Sequence, residues 1–507
     1  MSEFYIACVA LGIVLLFQRQ RSRKKCKLPL PPGPKRLPII GNLLDMPSGF
    51  EWETYMKWSK EYDSDIIYLD VAGTPIVVLS SMEAATELLE KRSNIYSDRQ
   101  LQEHTARLPM VNELMGWSFN FGFMTYGERW RKCRRIFHQD FNAEAVRKYY
   151  PKERAACHEL LRRLLRDPDN IVHHLRHMAG EAIMSAAYGI TVLPENDPYV
   201  KLAEEADSVP ALMHIPEWFP GAGFKRKAKE WRKLSQALID SPFAAAKRMI
   251  AAGTAPPSFT AKLLSEIQDS DDIAVQEEGE RLIKEAAGTM YTGGTDTTVS
   301  ALATFVLAML SNPQAQDKAK AEIDSVIGNG RLPDFTDEES LPYVSAIVKE
   351  VLRWRSVAPL GVPHSLQEED EYKGYRIPAQ SIVMANIWAI YHDETTYPDP
   401  YEFKPERWLL DGKLNPAMRS PESTFGFGRR ICVGRFFATS SIFITIASIL
   451  ATLEVTKAID EAGKVIEPTH RYFSGMVIEP LPFKCSVKPR SKAAEKLIEE
   501  IIDEYEA

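Results

Sequence analysis

The segment Phe425-Gly426-Phe427-Gly428-Arg429-Arg430-Ile431-Cys432-Val433-Gly434-Arg435 places one thiol among glycines and arginines, directly before a long apolar stretch. Gly428 permits a tight turn, and Gly434 lets the backbone approach something flat. A helix starting just after Cys432 lowers its thiol pKa and favours the thiolate. Arg430 presents a planar fork suited to a carboxylate. Thiolate, glycines and arginine together suit heme, which has one iron and two propionates. A thiolate ligand pushes electron density onto iron and favours O–O cleavage. The competing reading is a buried structural cysteine, the usual state of a lone thiol.

A second cluster, Gly293-Gly294-Thr295-Asp296-Thr297-Thr298, falls inside a long helical pattern. Each helix-interior glycine costs roughly 1 kcal/mol against alanine. One reason to bear that cost is a kinked groove that holds dioxygen and water, with Asp296 and Thr297 relaying protons. The other is close packing on a neighbouring helix, with the polar groups capping freed carbonyls. Glu350 and Arg353 form an i,i+3 pair on one helix face. Such a pair carries little information alone.

These segments resemble the cytochrome P450 heme-thiolate monooxygenases. Phe425, Gly428, Arg430, Cys432 and Gly434 match every fixed position of the FxxGxRxCxG signature. Lys349-Glu350-Val351-Leu352-Arg353 contains ExxR, Pro405-Glu406-Arg407-Trp408 matches PERW, and Trp130 to Arg134 matches WxxxR. Gly293 to Thr298 matches (A/G)Gx(D/E)TT. The resemblance implies heme b with Cys432 as axial ligand and Phe425 packed near its sulfur. It implies Arg430, Trp130, Arg134 and His364 at the propionates, and Gly428 and Gly434 in the cofactor loop. Glu350, Arg353 and Arg407 become a buried charge cluster that serves folding and heme retention. Thr297 and Asp296 become the oxygen-activating proton relay. Electrons are implied to come from NADPH through a separate membrane-bound reductase, because the chain has no Rossmann fingerprint or flavin domain of its own. Cytochrome b5 is a further candidate donor. Val433 departs from the proline common after the heme cysteine.

The elements that must position these residues are mostly helical. Apolar residues three and four apart predict helices over Glu83–Lys91, Ala143–Leu165, Ile171–Tyr188, Phe224–Leu238, Arg281–Leu310, Leu341–Arg355 and Arg435–Leu453. Asp65 to Ser80 reads as two short strands broken at Gly73-Thr74-Pro75. Further strands are expected near 362–364, 375–377 and 381–385. Gln268 to Glu280 reads as an acidic, solvated stretch, and Ala252 to Ser258 as a loop. Scattered small strands exclude an alternating βα layout. The expected fold is mainly α with small sheets, the P450 fold, with heme between a long central helix and the cysteine loop.

Phe4 to Phe17 is a 14-residue apolar run without a charge, followed by Arg19, Arg21, Arg23, Lys24, Lys25 and Lys27. Its helical length of ~21 Å is short of a ~30 Å hydrocarbon core, so it spans only with flanking residues and some thinning. The positive flank stays cytosolic. This predicts a single-pass endoplasmic reticulum anchor with the catalytic body facing the cytosol. A cleaved signal peptide is the rival. Four prolines between Leu28 and Pro34 make a stiff spacer. The expected division is an anchor at 1–18, a basic, proline-rich hinge at 19–40, a catalytic domain at 41–490 and an acidic amphipathic helix at 491–507.

Composition narrows the function further. Lys and Arg number 62 against 69 Asp and Glu, a net charge of −7, which argues against a nucleic-acid binder. The six cysteines contain no CxxC pair, so neither a zinc ribbon nor a redox dithiol is present. His173 and His177 stand four apart without a third ligand and read as solvated or core residues. By family analogy the pocket walls are 101–124, 209–224, 289–294, 357–362 and 473–478, rich in Phe, Met, Leu and Val, which favours an apolar ligand. Met110 to Trp117 and Trp218 to Gly221 resemble mushroom-type fungal members that decorate secondary metabolites, among them terpenoid hydroxylases and tryptamine 4-monooxygenase. A terpenoid substrate is expected. An indole amine is the alternative and would want a pocket carboxylate, for which Glu113 is the candidate. A heme-thiolate isomerase or a non-catalytic heme binder would need no relay of the Asp296–Thr297 kind.

Overall fold

A computed structural model describes residues 28–99, 115–193, 197–199, 223–268 and 271–501. The expected anchor, the basic part of the hinge, Glu113, residues 101–114 and 209–222 of the expected pocket walls, and 502–507 lie outside the described residues.

Besides one-turn pieces, the chain forms helices α1 (Glu51–Glu61), α2 (Glu128–Phe141), α3 (Tyr150–Arg166), α4 (Ile171–Tyr188), α5 (Gly223–Ala251), α6 (Phe259–Gln268), α7 (Ile273–Ser311), α8 (Pro313–Val326), α9 (Pro342–Trp354), α10 (Arg435–Thr452) and α11 (Lys492–Glu499). Proline sits in the first turn of α3, α8 and α9, where its missing N–H costs nothing. Asn312-Pro313 ends α7 and starts α8, as expected. The sequence expectation placed the start of α7 too late. Asp272 accepts a hydrogen bond from Ala274 N at 2.9 Å and caps the helix there, so part of the acidic stretch 268–280 is helical. Helix α5 also runs past its expected end, carrying Pro242 in its interior.

Helices α7 and α10 are each long and apolar enough to cross a membrane, yet 78% of each such span is buried in the protein. They are core helices. Thr298–Leu310 and Ser440–Thr452 are buried on every side, which explains why both patterns are apolar without a stripe.

Strands β1 (Ile66–Val71) and β2 (Thr74–Leu79) form a hairpin in the register Ile66↔Leu79 to Val71↔Thr74. The turn is Ala72-Gly73, and Thr74 and Pro75 belong to β2 rather than to the break. Later come β3 (His364–Ser365), β4 (Asp370–Tyr372), β5 (Tyr375–Ile377) and β6 (Ile382–Ala385). The main sheet runs β1-β2-β6-β3, with β2 and β6 parallel. Alternate residues enter different cores: Ile66, Tyr68, Val77 and Leu79 one, Ile67, Leu69, Ile76 and Val78 another. A sheet covered on both faces gives strands without polar alternation. Small hairpins β7 (Leu409–Leu410) with β8 (Lys413–Leu414), and β9 (Leu453–Lys457) with β10 (Cys485–Pro489), complete the body.

Helix α3 carries a buried acid against α10. Glu153 is 1% exposed; Ser440 Oγ donates to one of its oxygens at 2.9 Å, and the other oxygen has no partner. Burial raises its pKa well above the usual carboxylate range. The folded state therefore keeps a proton that the unfolded chain releases near pH ~4.3. Stability from this group is fully present below that pH and is lost as pH rises toward the folded-state pKa. Glu153→Gln removes the titration. The melting temperature of the variant relative to the parent should climb as pH goes from about 4 to 8, read by thermal denaturation across that range.

Candidate active site

The cysteine loop is closed by its own backbone. Cys432 N donates to Phe425 O at 2.8 Å, Arg430 N to Phe427 O and Ile431 N to Gly428 O. Gly428 has φ +55°, and a Cβ there would lie 2.0 Å from Leu89 O, so only glycine fits. Phe425 packs on the main core, as does Val433, which fills the place where proline is common.

The Cys432 side chain is accessible, but protein surrounds it deeply. Burial pushes its thiol pKa up, while the Gly434 N–H, Arg134 and Arg435 pull it down. The expectation from the nearby helix start was a net lowering; burial outweighs it here. A coordinating metal ion would deprotonate the thiol outright.

Around this loop lie several buried cations. Arg430 is 8% exposed and donates to the carbonyls of Ser97 (2.6 Å), Met124 (2.8 Å) and Phe121 (3.3 Å). Trp130 is buried on α2, with Arg430 4.5 Å and Arg134 5.5 Å from its ring centre. Burial lowers the pKa of both arginines to about 10. Arg99 is 4% exposed and donates to the carbonyls of Gly122, Val362 and Pro363. Among the described residues none of the three arginines pairs with a carboxylate. Asp98 acts on Arg99 and Arg430 through space, one carboxylate for three desolvated guanidiniums, and that balance is costly unless a further anion joins them.

His364 completes the group. Its Nδ1 donates to Tyr96 O at 2.8 Å, and burial, Arg99 and Arg430 push its pKa well below the usual value. It is therefore neutral, with Nε2 bare. It can donate to a carboxylate only after gaining a second proton, which an arriving anion would favour. The accessible thiol and this unpaired cationic group fit a metal macrocycle bearing two carboxylates.

Arg99 was not legible in the sequence. It stands in an ordinary Ser-Asp-Arg run, and its partners are carbonyls 23 to 264 residues away.

Helix α7 stays helical through the glycine pair. The two glycines serve different ends. A Cβ on Gly294 would approach Ile183 of α4 to 2.9 Å, so this glycine allows close helix packing. A Cβ on Gly293 would meet nothing within 4 Å, and Gly293 is exposed in the middle of a buried helix. Thr297 Oγ1 donates to Gly293 O at 2.8 Å. Asp296 is ion-paired with Arg176 of α4, which also binds Glu479. These two partners were missed, since nothing local links residues 176, 296 and 479.

Glu350 and Arg353 are fully buried. Arg353 donates to both Glu350 oxygens at 2.8 and 2.9 Å, and the same carboxylate accepts from Arg407 Nε at 3.1 Å, Trp408 Nε1 at 2.9 Å and Lys404 N at 2.9 Å. His177 Nε2 donates to Leu193 O at 2.9 Å inside the core, and no metal-ligating cluster occurs among the described residues.

The described walls are apolar. Trp117 stacks on Phe119 at 5.8 Å, and Phe119 and Ile239 crowd Gly288 of α7. Asn120 Nδ2 donating to Thr292 Oγ1 at 3.2 Å is a polar pair there. Residues 115–124, 289–294, 357–362 and 473–478 contain no carboxylate.

The family model described as Cytochrome P450 matches residues 31–487. Among similar curated proteins, Cytochrome P450 monooxygenase 98 of Postia placenta is 48% identical, covering 97% of this chain and 96% of its own. Cytochrome P450 monooxygenase ple1 of Rhodocybe pseudopiperita is 46% identical, covering 94% and 92%. Tryptamine 4-monooxygenase of Psilocybe cyanescens is 39% identical, covering 96% and 97%.

Proposed function

Because the chain belongs to the cytochrome P450 family, whose monooxygenases use heme and take NADPH electrons through a reductase, we propose that it hydroxylates or epoxidises a neutral apolar metabolite, a terpenoid. One oxygen atom of O2 enters the substrate; the other leaves as water with two electrons and two protons. Bound heme supplies the oxygen chemistry. Cys432 would ligate its iron, and Arg99, Arg134, Arg430, Trp130 and His364 would hold its propionates. Three guanidiniums without a paired carboxylate among the described residues, beside an accessible thiol, carry this reading.

Asp296 carries protons from the Arg176 side and Thr297 presents a hydroxyl at the exposed Gly293 step. Asp296→Asn should cut product formation by about 100-fold. Peroxide release should rise, with the carbon monoxide spectrum unchanged, as read from NADPH, peroxide and product balances.

The absence of a carboxylate in the described walls favours a neutral terpenoid over an amine. The name tryptamine 4-monooxygenase keeps indole amines as the second reading. Binding spectra and product mass spectrometry with a terpenoid panel and tryptamine, in reductase-supplied microsomes, decide between them. Turnover of tryptamine alone would overturn the terpenoid assignment.

The body sits on a membrane through the apolar run 4–17. Just beyond the proline spacer, Ile39 is 69% and Leu44 74% exposed, an apolar edge beside the chain's entry point. On the cysteine side, Arg131 and the exposed Arg429 both lie 5.6 Å from the Tyr126 ring centre. This basic cluster suits an acidic reductase surface.

A further inference from the structure

Arg176 of α4 holds two carboxylates from distant parts of the chain. Its Nη1 donates to Asp296 Oδ1 on α7, and its Nη2 donates to both Glu479 oxygens at 3.1 and 3.2 Å. All three side chains are largely but not fully buried, at 18% exposure for Arg176, 20% for Asp296 and 26% for Glu479. Burial and the charge of Asp296 raise the Glu479 pKa, with Arg176 opposing.

The backbone fixes Glu479 in this place. Ser300 Oγ, one turn beyond Asp296 on α7, donates to Ile478 O. Ile478 N donates to Val357 O at 2.9 Å, and Phe473 N to Glu479 O at 2.9 Å. Glu479 is therefore held against the same helix that carries Asp296.

A guanidinium fork engages one carboxylate with two parallel bonds when it is free to do so. Here one arm is taken by Glu479. Asp296 is left with a one-oxygen pairing, and its Oδ2 makes no hydrogen bond among the described residues.

We propose that Glu479 is a positioning residue for oxygen activation: by occupying one arm of Arg176 it prevents a closed, two-oxygen Arg176–Asp296 pair and keeps one oxygen of Asp296 free to carry protons. This rests on the monooxygenase reading above. Glu479 acts through Arg176. Removing its charge lets Arg176 close on Asp296, and proton supply at Thr297 slows.

The test uses the full-length holoenzyme with NADPH–cytochrome reductase and no added substrate. Dioxygen then leaves either as hydrogen peroxide, with two electrons and two protons per O2, or as two waters, with four electrons and four protons. The water route needs the additional protons, so peroxide released per NADPH reports their delivery. Glu479→Gln should raise that ratio about threefold and raise the solvent deuterium isotope effect on NADPH consumption, at unchanged carbon monoxide spectrum. Glu479→Asp, which keeps the charge, should stay near the parent. The double variant Arg176→Met/Glu479→Gln, which frees Asp296 again, should fall back toward the parent ratio.

A parent-like ratio in Glu479→Gln, or a double variant no better than the single, would overturn the proposal. Loss of the thiolate-type spectrum in Glu479→Gln would also overturn it, by making the residue a structural staple. A parent enzyme without that spectrum would instead overturn the monooxygenase reading.

Discussion

Cys432→Ser abolishes the long-wavelength carbon monoxide band of the reduced protein and brings oxygenation to background, while the fold survives. Serine is close in size, and the loop's own hydrogen bonds run through the backbone of Phe425, Phe427, Gly428 and Cys432, not through the thiol. The fold should therefore tolerate the change, as thermal denaturation of the apoprotein would show. Serine at ordinary pKa does not ionise at neutral pH, so the electron push that favours O–O cleavage disappears. Burial already disfavours the free thiolate here, which makes ligation to a metal the one strong source of deprotonation at this position. Cys432→His sharpens the test. If position 432 is the axial ligand, the band moves to the place typical of histidine ligation. If Cys432 is only a core residue, both variants keep the parent spectrum, and the ligand assignment is wrong.

Glu350→Gln carries the largest expected loss of stability. Five donors converge on the Glu350 carboxylate, and three of them belong to the guanidiniums of Arg353 and Arg407. Arg353 is fully buried, and its remaining arm is committed to the carbonyls of Tyr391 and Pro400, so it cannot move out to water. Neutralising Glu350 leaves two cations desolvated without an anion, at a cost of about 3–5 kcal/mol. A domain with ~5–15 kcal/mol in total loses a third or more of its stability. The variant should accumulate as unstable protein with low heme content, and the fraction that retains heme should turn over normally. A variant with full heme, parent melting temperature and slowed chemistry would instead place Glu350 in the catalytic machinery.

The chemistry-bearing segments were legible because each is local. Phe425 to Gly434 folds back on itself within ten residues, so its residue types are dictated by one tight loop and by what the thiol faces. Several element limits were legible for the same reason: helix Ile171–Tyr188 and strand Tyr375–Ile377 coincide with expectation because periodicity and punctuation act over a few residues. Where expectation failed, a nonlocal effect had won. Of the two uses the glycine pair left open, Ile183 on another helix decides close packing for Gly294. The Cys432 thiol was expected to acidify from its own helix start, but desolvation by the surrounding fold pushes it the other way.

Amino-acid order alone thus settles the family, the cysteine loop with its glycines and arginines, and the helix that carries Asp296 and Thr297. Those depend on interactions between near neighbours and on residue chemistry. Tertiary packing decides the rest. It brings Arg99 to Arg430 and His364, seats Glu350 between Arg353 and Arg407, and hands Arg176 to both Asp296 and Glu479. The physical reason is that burial and charge pairing depend on distance in space. Residues 176, 296 and 479 share one guanidinium although no pattern along the chain connects them.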